Sequence, residues 1–194
     1  ATLRQCTAAA LHRLVAKGAG VGDARLVKAA ALWPYVSRSC PNRRQRCVLK
    51  ILILGGYGVF GGWLVELLAD QRDLELLICG RSQTRATAFC NAFSGIANVR
   101  PLQLDRRDIE QALANEKPDI VVDASGPFQN YNTGGGQGYK VIEACLRSKT
   151  HYMDFADGSD FVFGVTRYDQ QARDAGLFVL SGVSTFPILT AAVL

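Results

Sequence analysis

The segment that most constrains this chain is Gly55-Gly56-Tyr57-Gly58-Val59-Phe60-Gly61-Gly62, which follows directly on the apolar run Val48 to Leu54. A short apolar run bounded by glycines predicts a buried strand, and the apolar periodicity from Val59 to Leu68 predicts a helix just after the turn. Gly56, Gly58 and Gly61 supply a G-x-G-x-x-G spacing. One glycine permits the tight turn, the next lets main chain approach a pyrophosphate, and the third lets helix and strand pack closely. A side chain at Gly58 is expected to collide with phosphate. The N–H groups at the helix start, from Tyr57 through Val59 and Phe60 to Gly61, are expected to hold the phosphates, with the helix dipole favouring negative charge.

Strand and helix signals alternate from Val48 onward, which predicts an α/β fold with a mainly parallel sheet. Six strands are expected: Val48 to Leu54, Leu74 to Cys79, Val99 to Leu104, Ile120 to Ala124, His151 to Asp154 and Leu177 to Leu180. Helices are expected near 59–70, 83–93, 106–115, 137–148 and 165–175, each polar on one side. Six strands with five crossings complete a doubly wound, Rossmann-type sheet, and in such sheets ligands bind beyond the carboxyl ends of the strands.

Charge divides the chain. Residues 1–50 carry ten Lys or Arg against the single acid Asp23, whereas residues 51–194 carry twelve against sixteen. The net charge of +5 thus belongs to the leading segment, and the expected folded part, 48–194, has no basic face for nucleic acid. Residues 1–47 read as a basic extension, poorly structured or helical. They are a transit segment, a loose extension, or sequence upstream of the true start, since residue 1 is Ala. The expected location is cytoplasmic, or mitochondrial or another organelle if residues 1–47 are a transit segment. No apolar run reaches the roughly 18 residues needed to span a bilayer, so no membrane association is expected. The six cysteines form no C-x-x-C pair, which points to buried reduced thiols and no metal site.

The nucleotide is read at the end of the second strand. Selectivity for NAD usually places Asp or Glu there to meet the ribose hydroxyls, but this chain has Cys79-Gly80-Arg81-Ser82. Arg81 can meet a 2′-phosphate with a planar charged fork, so NADP is expected over NAD. Arg85, one turn on, can share the phosphate, and Ser82 is expected at the cofactor site or as no more than the helix cap. Asp105, after the third strand, can reach the adenine amino group or cap its own helix. Ser125, Gly126 and Pro127, in Asp123-Ala124-Ser125-Gly126-Pro127-Phe128, put small residues where the nicotinamide ribose would pass. Asn130 to Gly138, with four glycines, reads as a mobile loop.

These segments together resemble the saccharopine dehydrogenase family, specifically its NADP-binding domain. Val48 to Gly61 resembles the family's first strand and turn, Cys79-Gly80-Arg81-Ser82 its Gly-Arg, Asp123 to Phe128 its nicotinamide loop, and His151-Tyr152-Met153-Asp154 its His-Tyr-x-Asp strand. The resemblance covers about 48 to 194. It implies an oxidoreductase fold that binds a nicotinamide dinucleotide and takes a small-molecule substrate. It also implies that Ser181 to Pro187 leads into a second domain, which this chain does not include. The loop at 131–138 departs from the family in its length and glycine content.

Tyr152 and Asp154, at the end of the fifth strand, are the titratable groups best placed for a direct catalytic role, though each can equally be structural. His151 should face the other side of the sheet, and Cys79 reads as an inert thiol. Three functions compete: an NADP-dependent oxidoreductase of unknown substrate, a short-chain dehydrogenase or epimerase, and a cofactor-binding module without catalysis that senses redox state or assembles with a partner. The second is disfavoured, although Gly55, Gly58 and Gly61 fit its glycine pattern, because no tyrosine has Lys four residues later. A homo-oligomer remains open.

Overall fold

The computed structural model describes residues 48–126 and 138–183. The readings of residues 1–47, of Pro127 and of the loop as far as residue 137 lie outside the described residues, as do those from residue 184 onward.

Leucine and β-branched residues fill β1, β2 and β4, and a glycine or carboxylate lies at or just after the end of each of them. The strands are β1 (Leu49–Leu54), β2 (Leu74–Gly80), β3 (Asn98–Gln103), β4 (Ile120–Asp123), β5 (His151–Asp154) and β6 (Val179–Leu180). They form one sheet in the order β3-β2-β1-β4-β5-β6, and every neighbouring pair is parallel. The doubly wound architecture read from the sequence is therefore the architecture found. Winding reverses between β1 and β4, the place where ligands bind in such sheets.

Period-two alternation assigns the faces. Leu52, Leu54, Leu77, Cys79, Val121 and Tyr152 share a buried cluster with the helices α3 (Ile109–Glu116), α4 (Lys140–Ser148), α5 (Ser159–Gly164) and α6 (Asp169–Ala175). Their buried neighbours Ile51, Ile53, Leu76 and Ile78 point to the opposite face, where α1 (Val59–Leu67) and α2 (Gln83–Ala92) supply Leu64, Val65 and Ala86. Each fully buried Leu or Ile stabilises the fold by about 1.5–3 kcal/mol.

Helix ends follow local chemistry. Lys117 and Lys149 take left-handed backbone (φ 47° and 57°) after α3 and α4, and Pro118 then prevents α3 from continuing. The structure differs from the sequence reading at two helix starts. Asp105 accepts the Arg107 N–H at 3.0 Å and caps a 3₁₀ turn, Arg106–Asp108, so α3 begins only at Ile109. A short helix, α5, precedes the expected 165–175 helix, which itself opens as a 3₁₀ turn over Val165–Tyr168, and α5 buries Phe161.

Candidate functional site

The carboxyl ends of β1, β2, β3 and β4 carry the candidate residues, and backbone geometry builds the first of them. β1 ends in a turn closed by the Gly58 N–H donating to the Gly55 carbonyl at 2.8 Å. The positive φ of this turn, 72°, falls on Gly55, one residue before the first glycine of the G-x-G-x-x-G reading. A Cβ on Gly55 would lie 2.8 Å from the Ala124 carbonyl oxygen, so glycine lets the β1 and β4 loops touch where the winding reverses. Gly61 is the third close approach: a Cβ there would sit 2.3 Å from the Gly55 carbonyl oxygen. That places the first turn of α1 hard against the loop, as the sequence pattern requires.

Gly58 occupies the N-cap of α1 with extended backbone, and the first helical bond runs from the Gly62 N–H to the Gly58 carbonyl at 2.8 Å. The N–H groups of Val59, Phe60 and Gly61 therefore have no helical carbonyl to bond. The Val59 and Phe60 side chains point outward, 66% and 62% exposed. Phe60 meets Trp63 edge-to-face with ring centroids 6.0 Å apart. Reading the turn as glycine chemistry alone passes over this aromatic pair, although Phe and Trp three residues apart must share a helix face.

Beyond β2 and β3 lies a groove of about 380 Å³ lined by Arg81, Gln103, Leu104, Asp105 and Asp108. Arg81 is exposed, and its carbonyl accepts from the Gln103 amide at 3.1 Å. Asp105 borders the groove and caps its own turn. Its carboxyl is held below the usual carboxylate range by hydrogen bonds from the Arg107 side chain and N–H. Ser82 caps α2, accepting the Arg85 N–H at 3.3 Å. No carboxylate stands at the end of β2 itself. Arg81 and Asp105, separated in sequence, meet at this groove because β2 and β3 are paired in register from Glu75–Asn98 to Gly80–Gln103.

The carboxyl ends of β4 and β5 differ in character. Asp123 and Asp154 stand opposite each other in register, and both are wholly buried. Asp123 pairs with the Arg106 guanidinium at 3.0 Å and accepts from the Ser125 N–H at 3.0 Å and from the Ser125 hydroxyl. Arg106 also donates to the Gly138 carbonyl at 3.2 Å. Asp154 Oδ1 gathers three donors at 2.9 Å, the N–H groups of Ala156 and Gly182 and the Ser181 hydroxyl. Burial raises the Asp154 pKa, and those donors oppose the rise. Asp154 Oδ2 and the Tyr152 hydroxyl are both buried without a hydrogen-bond partner of good geometry. Burial, then the charges of Asp123 and Asp154, push the Tyr152 phenol well above 10.

His151 faces away, as expected. Its Nδ1 accepts the Phe178 N–H at 3.2 Å, and its ring stacks on Phe178 with centroids 4.1 Å apart. Burial lowers its pKa. Cys79 is fully buried, and burial pushes its thiol far up, so it stays protonated. Ser125 is half-buried and Gly126 exposed beside the β1 loop. The Arg106–Asp123 pair escapes sequence reading because β2 and β1 separate their strands in the sheet, and no spacing rule reports that meeting.

Residues 51–180 match the family model described as the saccharopine dehydrogenase NADP binding domain. The chain belongs to that family. As a member it is an NADP-binding Rossmann domain. A curated relative, shikimate dehydrogenase (NADP(+)) of Vibrio atlanticus (strain LGP32), is 25% identical over 128 residues, which are 66% of this chain. The chain spans 40% of that relative's length. Among solved structures, the 3-oxoacyl-[acyl-carrier protein] reductase of Brucella melitensis ATCC 23457 matches with a TM-score of 0.51 at 12% identity, covering 71% of this chain and 69% of that one, a likeness of fold. Biliverdin reductase of Synechocystis sp. PCC 6803, solved with biliverdin and NADP+, matches with a TM-score of 0.48 at 18% identity over 69% of this chain and 37% of that one. Among the described residues no helix is long and apolar enough to cross a membrane.

Proposed function

We propose that this NADP-binding domain serves a saccharopine dehydrogenase-like oxidoreductase that moves a hydride between NADP(H) and a small carbonyl or imine substrate. The observation that carries the reading is the end of β2, where an exposed arginine replaces the usual acid and borders a groove that runs to β3. The first-turn N–H groups of α1 take the pyrophosphate, with Gly55, Gly58 and Gly61 letting main chain come close. Arg81 takes the 2′-phosphate, Asp105 the adenine edge, and Ser125 with Gly126 flanks the nicotinamide ribose. The exposed Arg81 guanidinium suits the charge of a 2′-phosphate, and the unbonded N–H groups at the start of α1 suit a pyrophosphate. The hydride chemistry belongs to the nicotinamide, and the protein's share is to orient it and exclude water.

Tyr152 and Asp154 act in this scheme as supports. Both are fully buried, and Asp154 spends one oxygen on the chain after β6. Their burial favours a second reading, in which the described residues hold the cofactor and supply no proton donor to a substrate. Assaying NADPH oxidation over a panel of carbonyl and imine compounds separates the two readings: turnover supports the first and its absence the second.

The cofactor preference is tested by titrating NADPH and NADH into the unmodified protein and into Arg81→Ala. A charged hydrogen bond to phosphate is worth about 1.5–3 kcal/mol, so NADPH binding should weaken about tenfold or more while NADH binding holds. Equal affinity of the unmodified protein for both nucleotides contradicts the assignment.

A further inference from the structure

Tyr57 lies between the β1 turn and the end of β2, and its surroundings are unlike those of an ordinary loop tyrosine. Its ring covers Gly80 so closely that a Cβ there would come within 2.4 Å of the ring. Glycine before Arg81 is therefore what lets the ring lie flat across the strand end. The Ser82 N–H donates to the Tyr57 hydroxyl at 3.0 Å. A phenol that accepts one hydrogen bond still has its own hydrogen to give. Among the described residues none takes it. Receiving the Ser82 N–H also polarises the hydroxyl and strengthens it as a donor.

Arg85 completes the arrangement. Its guanidinium carbon stands 4.8 Å from the Tyr57 ring centroid, within cation–π range, while its backbone N–H is fixed by the Ser82 cap. The ring thus holds a long, exposed side chain near the end of β2. The residues that follow β1 and β2 thus offer two guanidinium groups, those of Arg81 and Arg85, and an oriented hydroxyl, all donors, while the groove that Arg81 lines also holds the carboxylates Asp105 and Asp108, which follow β3. Such a set suits a phosphate ester and gives little to a bare ribose hydroxyl, since only an anion engages both cations.

We propose that Tyr57 is a specificity-determining residue of the cofactor site: its hydroxyl donates to the 2′-phosphate of NADP, and its ring positions Arg85 to meet the same anion. The proposal rests on the NADP assignment above and adds a contact that neither the glycine pattern nor Arg81 supplies.

The test measures the affinities of the unmodified protein, Tyr57→Phe, Tyr57→Leu and Arg85→Ala for NADPH, NADH and adenosine 2′,5′-bisphosphate, with thermal unfolding checked for each variant. Tyr57→Phe keeps the ring and should weaken NADPH and the bisphosphate about tenfold, leaving NADH within about twofold. Tyr57→Leu should weaken them further, and adding Arg85→Ala to it should change little, because the ring no longer holds the guanidinium. Unchanged NADPH affinity in Tyr57→Phe, or an equal loss for NADH, overturns the role of Tyr57 while leaving Arg81 as the selector. An unmodified protein without preference for NADPH would instead overturn the parent assignment, so the two failures are distinct.

Discussion

The two halves of the sheet put their polar residues to different uses. At the ends of β1, β2 and β3 the polar groups are exposed, and glycines bring main chain within reach of a ligand. At the ends of β4 and β5 the polar groups are buried: Asp123 and Asp154 Oδ1 are held by hydrogen bonds, while Asp154 Oδ2 and the Tyr152 hydroxyl have no partner of good geometry. Arg81 and Asp105 line an open groove, whereas Asp123, Tyr152 and Asp154 have no exposed surface at all. A carboxylate at the tip of a strand is therefore no sign of chemistry by itself. Whether it stays open to solvent or is buried decides its use.

The sharpest way to break this contrast is to remove a buried partner. Asp123→Ala leaves the Arg106 guanidinium, 18% exposed, without its carboxylate. Loss of one partner of a buried pair costs about 3–5 kcal/mol, so urea unfolding should shift by that amount. A change below about 1 kcal/mol, the range of surface pairs, would show that Asp123 is not structural. Arg81→Ala, on the open side, should by contrast leave stability within about 0.5 kcal/mol, as surface substitutions do, and act only on nucleotide affinity.

Gly61→Ala tests the main-chain side. Its Cβ would fall 2.3 Å from the Gly55 carbonyl oxygen, so α1 must move off the β1 loop. Overpacking of this kind costs about 1–3 kcal/mol. NADPH binding should fall with it, because the displaced N–H groups are those assigned to the pyrophosphate. Normal nucleotide affinity in a stable Gly61→Ala variant would separate the turn from the site.

The smallest expected effect concerns pH. Burial lowers the His151 pKa below its ordinary 6.5, so the folded protein resists a proton that the unfolded chain accepts. The stability contribution is complete above about pH 6.5 and is lost as pH falls below it, by at most about 1.4 kcal/mol per pH unit. His151→Phe keeps a ring against Phe178, and its urea midpoint between pH 7.5 and 5.5 should fall less steeply than that of the unmodified protein. Parallel slopes would mean that His151 keeps the same proton affinity in both states.

Much of this was legible in the residues. The central strands follow from apolar runs closed by glycine or acid, and the parallel order follows from helices between them. Cys79 and His151 were readable as structural, since strand alternation and the lack of a neighbouring base constrain both. The glycine turn was readable as a unit, yet its strained residue is Gly55, whose positive φ answers to the β4 loop and not to the local pattern. The burial of Tyr152 and Asp154 was hidden for a similar reason. It depends on the packing of α4 and α5 around β5 and on the chain after β6, 27 and 28 residues on, donating to Asp154. Likewise α5 exists because Phe161 enters the core, a tertiary demand that overrides a glycine-led start.

A calorimetric titration of the unmodified chain with NADPH and, separately, NADH bears most directly on the nucleotide assignment. A single saturable site for NADPH, tighter than for NADH, is the predicted result, and no heat from either nucleotide would contradict it.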